Sequence, residues 1–541
     1  MKVGWINFLN TLPFDFEKVG IKPDIDIQII KDYPAVLNKL LKEGKIDIGI
    51  ISSAEYIENY KDYLILPDLS ISSYKDVKSV SILSNTALED IKELYLTKAS
   101  KSSVLLTKII FKEFLKKDVI YHSLENWENL EEKSVLFIGD AAILFKDKFK
   151  YVYDLSYLWY KYTKMPFTFA LWCVRKDFYK NHLKEVLLFH KLLIQTKERF
   201  FNDIDKYLDN INFDKDFAKE YLLNLDYNLE KKHIESLKKF SEYLLKNEFI
   251  KEIPEFRFTD KLIITNDGTT TIYNSNYEEA YHSIKAGAYT ESLYKFIIPC
   301  NIENLAKEGS IKILDVGFGL GYNVATAITF AKQINKDVKI EFISIEKDEN
   351  ILEKIKILDI PENLKYAYSL INSLKEGEIL LNNKIFKTLE IDKDNIKITV
   401  IIGEGREIIK ELAENGEKFD AVFYDPFSPK VNTEMWSVDL FRLIRKIMKE
   451  TAIFATYSAS LAVRKGLLEA GFKISIVPPV GRKSSSTIAT ISADIPPMPE
   501  KEEKRLKNSP FAISYKDENL SLSSKEIQER YEEEVKSFST F

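Results

Sequence analysis

Three glycines at alternate positions follow an apolar run that ends in Asp315. Glycine permits the sharp turn and the close backbone approach that a bound nucleotide needs, and a helix that begins just after such a turn offers free N–H groups. The next apolar run ends in Glu346, where a carboxylate accepts hydrogen bonds from both hydroxyls of a ribose. The pattern therefore predicts a nucleotide-like cofactor, held by Asp315, Gly317, Phe318, Gly319, Gly321 and Glu346.

A second chemical signal is the segment Asp425-Pro426-Phe427-Ser428-Pro429, which follows the apolar run 421–424. If that run is a strand, the acid and the ring lie at the carboxyl edge of the sheet, beside the cofactor. Methylation of an amine needs a neutral nitrogen in line with a methyl group on a sulfonium. Asp425 suits the orientation of such an amine, and Phe427 suits stacking on a base. Two other interpretations stay open: Asp425 as a helix cap, and the glycine segment as a tight turn that binds nothing. The glycine turn used alone would also fit a dinucleotide, and the Asp425 segment is what favours a methyl donor.

Polar side chains also recur at the ends of predicted strands in the first half of the chain. One amide lies in the loop after the first strand, and serines follow later strands or precede helices. Hydroxyls and amide hydrogens at helix starts bind anions, so several that converge suit a dicarboxylate. Each serine taken alone is better explained as a helix N-cap. The candidate residues are Asn10, Ser52, Ser53, Ser84, Ser100 and Ser103.

Two successive α/β alternations are predicted to position these residues. Residues 1–172 alternate short strand-like runs with helical ones, which indicates a parallel α/β layout, and long amphipathic helices follow over 184–201 and 232–245. The sequence changes character at residues 253–256, so we place a domain boundary near residue 255. In the second alternation, strands are expected at 311–315, 341–345, 398–402, 421–424 and 453–456.

The composition narrows the classes of protein. A chain of 541 residues is too long for one hydrophobic core, and a net charge of −5 argues against a generally basic nucleic-acid binder while leaving room for a local basic patch. Cys173 and Cys300 are far apart, so neither a disulfide framework nor a metal site is expected. The sequence shows no signal peptide and no membrane-spanning run, so we expect a cytoplasmic protein.

Further motifs in the second half are Asp267-Gly268, Tyr281-His282-Ser283, Gly287 with Glu291, Trp436, Ala455-Thr456-Tyr457, Val463-Arg464 and Gly481-Arg482-Lys483. With the glycine turn and the Asp425 segment, this order resembles the S-adenosylmethionine-dependent methyltransferase domain that makes 5-methylaminomethyl-2-thiouridine at the tRNA wobble position. The resemblance implies a Rossmann-like class I methyltransferase domain over residues 256–541, with S-adenosylmethionine as cofactor. It also implies Asp425 as the catalytic acid, with Phe427 as a substrate contact. Glu404 stands where many methyltransferases place Asp for the adenine amino group.

Transfer RNA is the partner that this resemblance implies. Arg464, Lys465, Arg482 and Lys483 form a local basic patch that could meet its phosphates, although lone basic pairs are as often solvated surface. Longer members of the family also carry a flavin oxidoreductase that prepares the amine. Nothing in this sequence supplies one, so we expect another enzyme to provide the substrate amine.

The first half has its own ordered motifs: Asn10-Thr11-Leu12-Pro13, Ser52-Ser53-Ala54-Glu55-Tyr56, Ser79-Val80 with Ser84, Ser100 with Ser103, Ile138-Gly139-Asp140 and Pro166-Phe167. They resemble the chorismate dehydratase of the futalosine route to menaquinone, a carbon–oxygen lyase with the two-lobed fold of type II periplasmic binding proteins. The resemblance implies such a domain over residues 1–255, converting chorismate to 3-[(1-carboxyvinyl)oxy]benzoate without a cofactor. It implies Asn10 and Ser84 as catalytic residues, with substrate contacts from Ser52, Ser53, Ser100, Ser103, Gly139 and Asp140.

The sequence thus predicts a bifunctional α/β enzyme. One alternative makes the first half a non-catalytic solute-binding module, because a two-lobed fold captures ligands without dictating chemistry. A second alternative has the other half methylate a small molecule.

Overall fold

The computed structural model describes residues 1–125, 128–209 and 211–539. Residues 538 and 539 are described by their backbone only. The chain divides between Lys261 and Leu262 into two compact units. Sequence analysis placed the boundary near residue 255. Among the described residues, no helix is long and apolar enough to cross a membrane.

The first unit is built on two sheets. Its strands are β1 (Lys2–Ile6), β2 (Gln28–Asp32), β3 (Ile48–Ser52), β4 (Tyr63–Ser73), β5 (Val80–Ser84), β6 (Glu93–Leu96), β7 (Ile120–Ser123), β8 (Val135–Ile138), β9 (Tyr151–Asp154) and β10 (Phe167–Arg175). One sheet has the order β2-β1-β3-β10-β4 and the other the order β7-β6-β8-β5-β9. The chain therefore crosses from the first lobe to the second after β4 and returns before β10, which gives the predicted two-lobed architecture.

The parallel α/β layout predicted for this unit is found in part, because both sheets also contain antiparallel strands. Strand β10 runs antiparallel to both β3 and β4, and β5 runs antiparallel to β8 and β9. The reason is the return crossing, because a strand that re-enters the first lobe from the second comes in from the opposite end. In the core of the first lobe, the ring of Trp172 on β10 lies 5.1 Å from that of Trp5 on β1.

Helices cover both lobes. They are α1 (Phe16–Val19), α2 (Pro34–Lys42), α3 (Ser53–Asn59), α4 (Lys101–Ile109), α5 (Asp140–Phe145), α6 (Leu155–Thr163), α7 (Lys176–Asn181), α8 (Leu183–Asn202), α9 (Ile204–Tyr207), α10 (Lys215–Asn224) and α11 (Lys231–Lys246). The two long helices predicted after residue 172 correspond to α8 and α11. Between β1 and α1, residues Leu9–Phe14 form a 3₁₀ turn that carries Asn10.

The second unit has a small sheet followed by a large one. Its strands are β11 (Lys261–Ile264), β12 (Thr270–Asn274), β13 (Glu279–Ala280), β14 (Ser310–Val316), β15 (Lys339–Glu346), β16 (Lys375–Leu381), β17 (Lys384–Lys393), β18 (Ile396–Ile402), β19 (Phe419–Tyr424), β20 (Met448–Thr456), β21 (Lys473–Val477) and β22 (Ser486–Thr490). The large sheet has the order β16-β17-β18-β15-β14-β19-β20-β22-β21. Strands β18, β15, β14, β19 and β20 are parallel, and β22 is antiparallel to β20.

This order is that of a Rossmann-like methyltransferase sheet, as predicted. The strand order reverses at β14, so the loops after β14 and β19 meet at the carboxyl edge, where such sheets bind ligands. The flanking helices are α12 (Ala288–Ser292), α13 (Ile302–Glu308), α14 (Tyr322–Ile334), α15 (Ile351–Ile355), α16 (Lys365–Ile371), α17 (Gly405–Glu414), α18 (Val438–Ile447), α19 (Leu461–Glu469), α20 (Glu500–Asn508) and α21 (Ser524–Ser539).

Candidate active sites

The glycine turn of the second unit joins β14 to α14 and touches the loop after β19. The φ angle of Gly317 is +88°, in the left-handed region that side chains disfavour. A Cβ atom at Gly317 would lie 2.7 Å from the carbonyl oxygen of Asp425. The backbone N–H of Asp425 in turn donates to the carbonyl of Val316 at 2.8 Å. Glycine is thus required here so that the turn and the predicted catalytic acid can share one edge of the sheet.

Glu346, at the end of β15, is held against this turn. One carboxylate oxygen accepts the N–H of Gly319 at 2.8 Å, and the other accepts the N–H groups of Lys347 and Asp348, each at 2.8 Å. Burial raises the pKa of Glu346, and the N–H groups of Asp348 and Gly319 oppose that shift. The carboxylate is therefore fixed in direction, with one lone-pair site left, on the oxygen that accepts from Gly319, for a ribose hydroxyl.

Asp425 directly follows β19 and faces α14. Its Oδ2 accepts a hydrogen bond from the side-chain amide of Asn323 at 2.8 Å. Burial, together with the nearby negative charge of Glu291, raises the pKa of Asp425 well above its usual value, against the opposing hydrogen bond of Asn323. A carboxylate with a raised pKa is a better proton acceptor, which is what an amine losing a proton requires.

A buried charged cluster lies behind Asp425. Glu291 on α12 pairs with Lys295 and accepts the N–H of Ser283 at 2.7 Å, while the Nδ1 of His282 lies 3.6 Å from it. Burial alone would raise the pKa of Glu291, but the neighbouring imidazole of His282 and the charge of Lys295 outweigh it and lower the pKa to about 2. Sequence reasoning missed Lys295; its spacing of one helical turn from Glu291 was the available signal.

Aromatic rings form one wall of this site. The ring of Phe427 stacks on Tyr277 with centroids 4.2 Å apart and lies 5.1 Å from the ring of Tyr281. The indole N–H of Trp436 donates to the carbonyl of Phe427 at 2.9 Å, and the hydroxyl of Tyr457 donates to the carbonyl of Pro426 at 2.9 Å. These bonds fix the loop that carries Asp425.

Glu404 follows β18 and belongs to the same carboxyl edge. Its Oε2 accepts a hydrogen bond from the Nζ of Lys347 at 3.0 Å, and its Oε1 lies 3.5 Å from the Nε of Arg406. Because Lys347 directly follows Glu346, the structure brings the two acids predicted to hold a nucleoside to neighbouring strand ends.

The residues present fit a cofactor that carries positive charge. Both carboxyl oxygens of Asp315 and the side-chain oxygen of Asn323 are buried without a hydrogen-bond partner among the described residues. Burial raises the pKa of Asp315 to about 7. Unfilled acceptors beside Asp425 suit the ammonium and sulfonium groups of S-adenosylmethionine, since buried acceptors without partners are costly.

The predicted basic patch is not one surface. Arg464 is 1% exposed, and its guanidinium is bonded to Glu502, Thr487 and Ser485. It is therefore a structural residue that ties α19 to α20, which corrects its assignment to tRNA. Lys465 is half-buried, and its Nζ lies 3.4 Å from Oε1 of Glu469.

In the first unit, most predicted serines serve the fold. Ser52 accepts the N–H of Glu55 at 3.3 Å and caps α3, and Ser100 accepts the N–H of Ser103 at 3.3 Å and caps α4. Ser53 bonds to the hydroxyl of Ser102 across the two lobes at 3.0 Å and to a backbone carbonyl. The simple capping interpretation thus accounts for Ser52 and Ser100, and lobe contact accounts for Ser53.

Ser84 is not brought to Asn10. It is the last residue of β5, and its hydroxyl accepts the N–H of Thr86 at 2.9 Å and contacts the hydroxyl of Ser134 at 2.7 Å. The opposite end of β5, about 16 Å away at strand rise, is the end that faces the 3₁₀ turn carrying Asn10. Ser79 occupies that end.

Asn10 is instead grouped with Ser79, Tyr221 and Asp140. The Tyr221 hydroxyl donates to Ser79 Oγ at 2.8 Å, and the neighbouring side chains of Ser79 and Asn10 oppose the rise that burial causes in the pKa of Tyr221. Burial raises the pKa of Asp140, and the nearby backbone N–H of Leu9 opposes that shift. The Asn10 side-chain oxygen is buried with no partner among the described residues.

Gly139 holds this group at the junction of the lobes. Its N–H donates to the carbonyl of Ser79 at 2.7 Å, and a Cβ there would lie 2.7 Å from the ring of Phe8 in the other lobe. In the sequence, Ser79 is only one member of a motif and Tyr221 belongs to none. The position of Ser79 just before β5, beside Gly139, is what distinguishes it from Ser84. Clusters of acids, cysteines and histidines that could hold a metal are absent from the described part of the chain.

Comparison with known proteins assigns both halves to families. A family model described as menaquinone biosynthesis matches residues 1–246, and one described as S-adenosyl-L-methionine-dependent methyltransferase matches residues 368–492. An uncharacterized protein of Methanocaldococcus jannaschii is 35% identical over 56% of this chain and 81% of its own length.

Two further relatives carry more specific names. The tRNA 5-methylaminomethyl-2-thiouridine biosynthesis bifunctional protein MnmC of Burkholderia vietnamiensis is 28% identical over 41% of this chain, which spans only 33% of that relative. A solved structure of MNMC2 from Aquifex aeolicus is 34% identical, covers 56% of this chain and 98% of its own, and has a TM-score of 0.46. The chain belongs to the family of the Methanocaldococcus protein and joins a menaquinone biosynthesis family domain to an S-adenosyl-L-methionine-dependent methyltransferase domain.

Proposed function

We propose that residues 256–541 methylate the 5-aminomethyl group of 2-thiouridine at the tRNA wobble position. The observation that carries this proposal is Asp425, a carboxylate with a raised pKa, held by Asn323 at 2.8 Å against the glycine turn. The name of the Burkholderia relative supports the choice of tRNA. The ring wall of Phe427 and Tyr277 supports a substrate with a planar base.

The cofactor would be held by the glycine turn, Glu346, Glu404 and the unfilled acceptors of Asp315. S-adenosylmethionine supplies a methyl group on a sulfonium sulphur when it is bound. Asp425 accepts a hydrogen bond from the substrate amine and takes up its proton as the new nitrogen–carbon bond forms. Asn323 and the hydrogen-bonded loop after β19 keep the carboxylate pointed at the amine.

Transfer of a labelled methyl group tests this proposal. The full chain is incubated with labelled S-adenosylmethionine and tRNA that carries 5-aminomethyl-2-thiouridine, and with the same tRNA lacking the aminomethyl group. We expect label only in the first. Label in free amines but not in tRNA would favour the small-molecule alternative.

We propose that residues 1–255 remove water from chorismate. The supporting observation is the group formed by Asn10, Ser79, Tyr221 and Asp140 at the junction of the lobes, with the Asn10 oxygen unfilled. The menaquinone biosynthesis family model supports a substrate on that route. Ser79 takes the place that sequence analysis gave to Ser84.

The reaction needs little from the protein beyond orientation. Loss of the proton at C3 of chorismate gives a carbanion conjugated with the ring carboxylate, and loss of the C4 hydroxyl completes the aromatic ring. The substrate's own side-chain carboxylate takes the C3 proton. Asp140, whose pKa is raised by burial, supplies a proton to the departing hydroxyl, and Asn10, Ser79 and Tyr221 hold the ring by hydrogen bonds.

Product analysis separates this enzyme from a binding module. The full chain is incubated with chorismate, and the aromatic product is followed by absorbance and mass. We expect 3-[(1-carboxyvinyl)oxy]benzoate to accumulate. Thermal stabilisation by chorismate with no product would favour the binding module.

A further inference from the structure

The guanidinium of Arg482 lies beside the methyl-acceptor site and forms no ion pair with any residue that the structure describes. Its Nε and Nη2 are shielded from solvent and lack a hydrogen-bond partner in the described part of the chain. The side chain as a whole is half-buried, between the exposed residues Gly481 and Lys483. Arg464, its fellow member of the predicted basic patch, has every guanidinium nitrogen bonded. Of the two arginines in that patch, Arg482 is therefore the one whose guanidinium still has unpaired hydrogen-bond donors.

Its position relative to Asp425 is fixed through Tyr457. The Arg482 Cζ lies 5.7 Å from the centre of the Tyr457 ring, and the Tyr457 hydroxyl donates to the carbonyl of Pro426 at 2.9 Å. Pro426 directly follows Asp425. Arg482 therefore flanks the loop that carries the catalytic acid, one aromatic ring away from it.

The backbone before Arg482 is also constrained. Gly481 has a φ angle of +68°, and a Cβ there would lie 2.5 Å from the backbone nitrogen of Ala286. Only glycine allows this close contact, so the loop after β21 is seated against the segment that leads into α12. The guanidinium is thus presented from an anchored loop.

We propose that Arg482 binds a phosphate oxygen of the nucleotide whose amine is methylated. This inference rests on the proposed tRNA methylation. A planar guanidinium with adjacent free donors matches a phosphate bidentately, and a wobble nucleotide turned toward Asp425 brings its own phosphate along. The contact would hold the nucleotide in register with Asp425, and it identifies the substrate as a nucleotide within a chain instead of a free base.

The salt dependence of tRNA binding tests the inference. Affinity for tRNA that carries 5-aminomethyl-2-thiouridine is measured at several KCl concentrations for the full chain, for Arg482→Ala and for Arg482→Lys. We expect Arg482→Ala to flatten the slope of log affinity against log salt by about 0.7 to 0.9 and to raise the KM for tRNA about tenfold, with kcat little changed. Arg482→Lys should keep the slope but recover only part of the affinity.

Lys339→Ala is the matched control, because it removes an equal charge at the amino end of β15, away from the carboxyl edge. An unchanged slope and KM in Arg482→Ala, with the wild type methylating tRNA, would overturn the inference alone. Weakened thermal stabilisation by S-adenosylmethionine in Arg482→Ala would also overturn it, since the guanidinium would then serve the cofactor carboxylate. If the wild type transfers no methyl group to tRNA, the proposed function fails and this inference fails with it.

Discussion

Asp315, beside the glycine turn, keeps both of its carboxyl oxygens unfilled, whereas the predicted serines of the first unit are mostly hydrogen-bonded to helix ends or to the other lobe. Asp315 has two buried oxygens with no partner among the described residues, but Ser52 and Ser100 each cap a helix. Buried polar groups are normally satisfied by the fold itself. Unfilled acceptors therefore mark a ligand site more specifically than the recurrence of polar residues at strand ends.

The first prediction tests the acid at the centre of the second site. Asp425→Asn keeps the shape and the partner Asn323 but removes the proton acceptor. We expect methyl transfer to fall about 100- to 10,000-fold, the range for loss of a general base, while S-adenosylmethionine still stabilises the chain against heat. Asp337→Asn, an exposed acid before β15, is the control. Transfer at the wild-type rate in Asp425→Asn would place the base elsewhere.

The second prediction separates a ligand-facing residue from a structural one in the first unit. We expect Asn10→Ala to lower chorismate dehydration about 100-fold through lost orientation. Ser84→Ala should leave the rate within about twofold and lower the free energy of unfolding by about 1 kcal/mol, since its bonds to Thr86 and Ser134 support only a loop. The measurements are product formation and chemical denaturation. The reverse ranking of the two variants would restore Ser84 to the site.

These contrasts explain what the sequence could predict. The glycine turn, Glu346 and Asp425 were identifiable because strand ends of a parallel sheet meet at one edge whatever the loops do. Ser84 was misplaced relative to Asn10 because β5 runs antiparallel to its neighbours, so motif order along the chain does not tell which strand end faces the other lobe. The direction in which β5 enters the second lobe depends on the tertiary structure, and the sequence pattern of residues 79–84 does not predict it.

The same limit applies to elements without a chemical motif. The long helices α8 and α11 were predicted within two residues of their observed ends, because their apolar stripe has a clear helical period. The hairpin of β16 and β17 was not predicted. Its strands mix charged residues with apolar ones of which some are buried, such as Phe386 and Leu389, and others exposed, such as Leu380 and Ile385. The hairpin therefore lacks the regular apolar pattern from which strands are recognised.

The third prediction compares two glycines with similar backbone. Gly317 and Gly416 have φ angles of +88° and +75°, but a Cβ meets nothing within 4 Å at Gly416. Gly416→Ala should cost about 1–2 kcal/mol of the free energy of unfolding, the price of left-handed backbone alone. Gly317→Ala adds a clash with the Asp425 carbonyl, so we expect a larger loss and S-adenosylmethionine affinity reduced about tenfold or more. Equal behaviour of the two variants, measured by calorimetry, would mean that the turn tolerates displacement.

The last prediction concerns the pH dependence that an unfilled buried acid creates. Burial raises the pKa of Asp315 to about 7 in the folded chain, so between the ordinary value and 7 the folded state holds a proton that the unfolded state has lost. Its contribution to stability is therefore largest at low pH and declines as pH rises toward 7, by up to about 1.4 kcal/mol per pH unit. Asp315→Asn cannot ionise and should remove that decline. Thermal unfolding is measured without cofactor from pH 5 to pH 7. The transition to follow is the one that shifts when S-adenosylmethionine is added. A decline of equal steepness in Asp315→Asn would assign it to Asp425 or Glu346, whose pKa values are also raised.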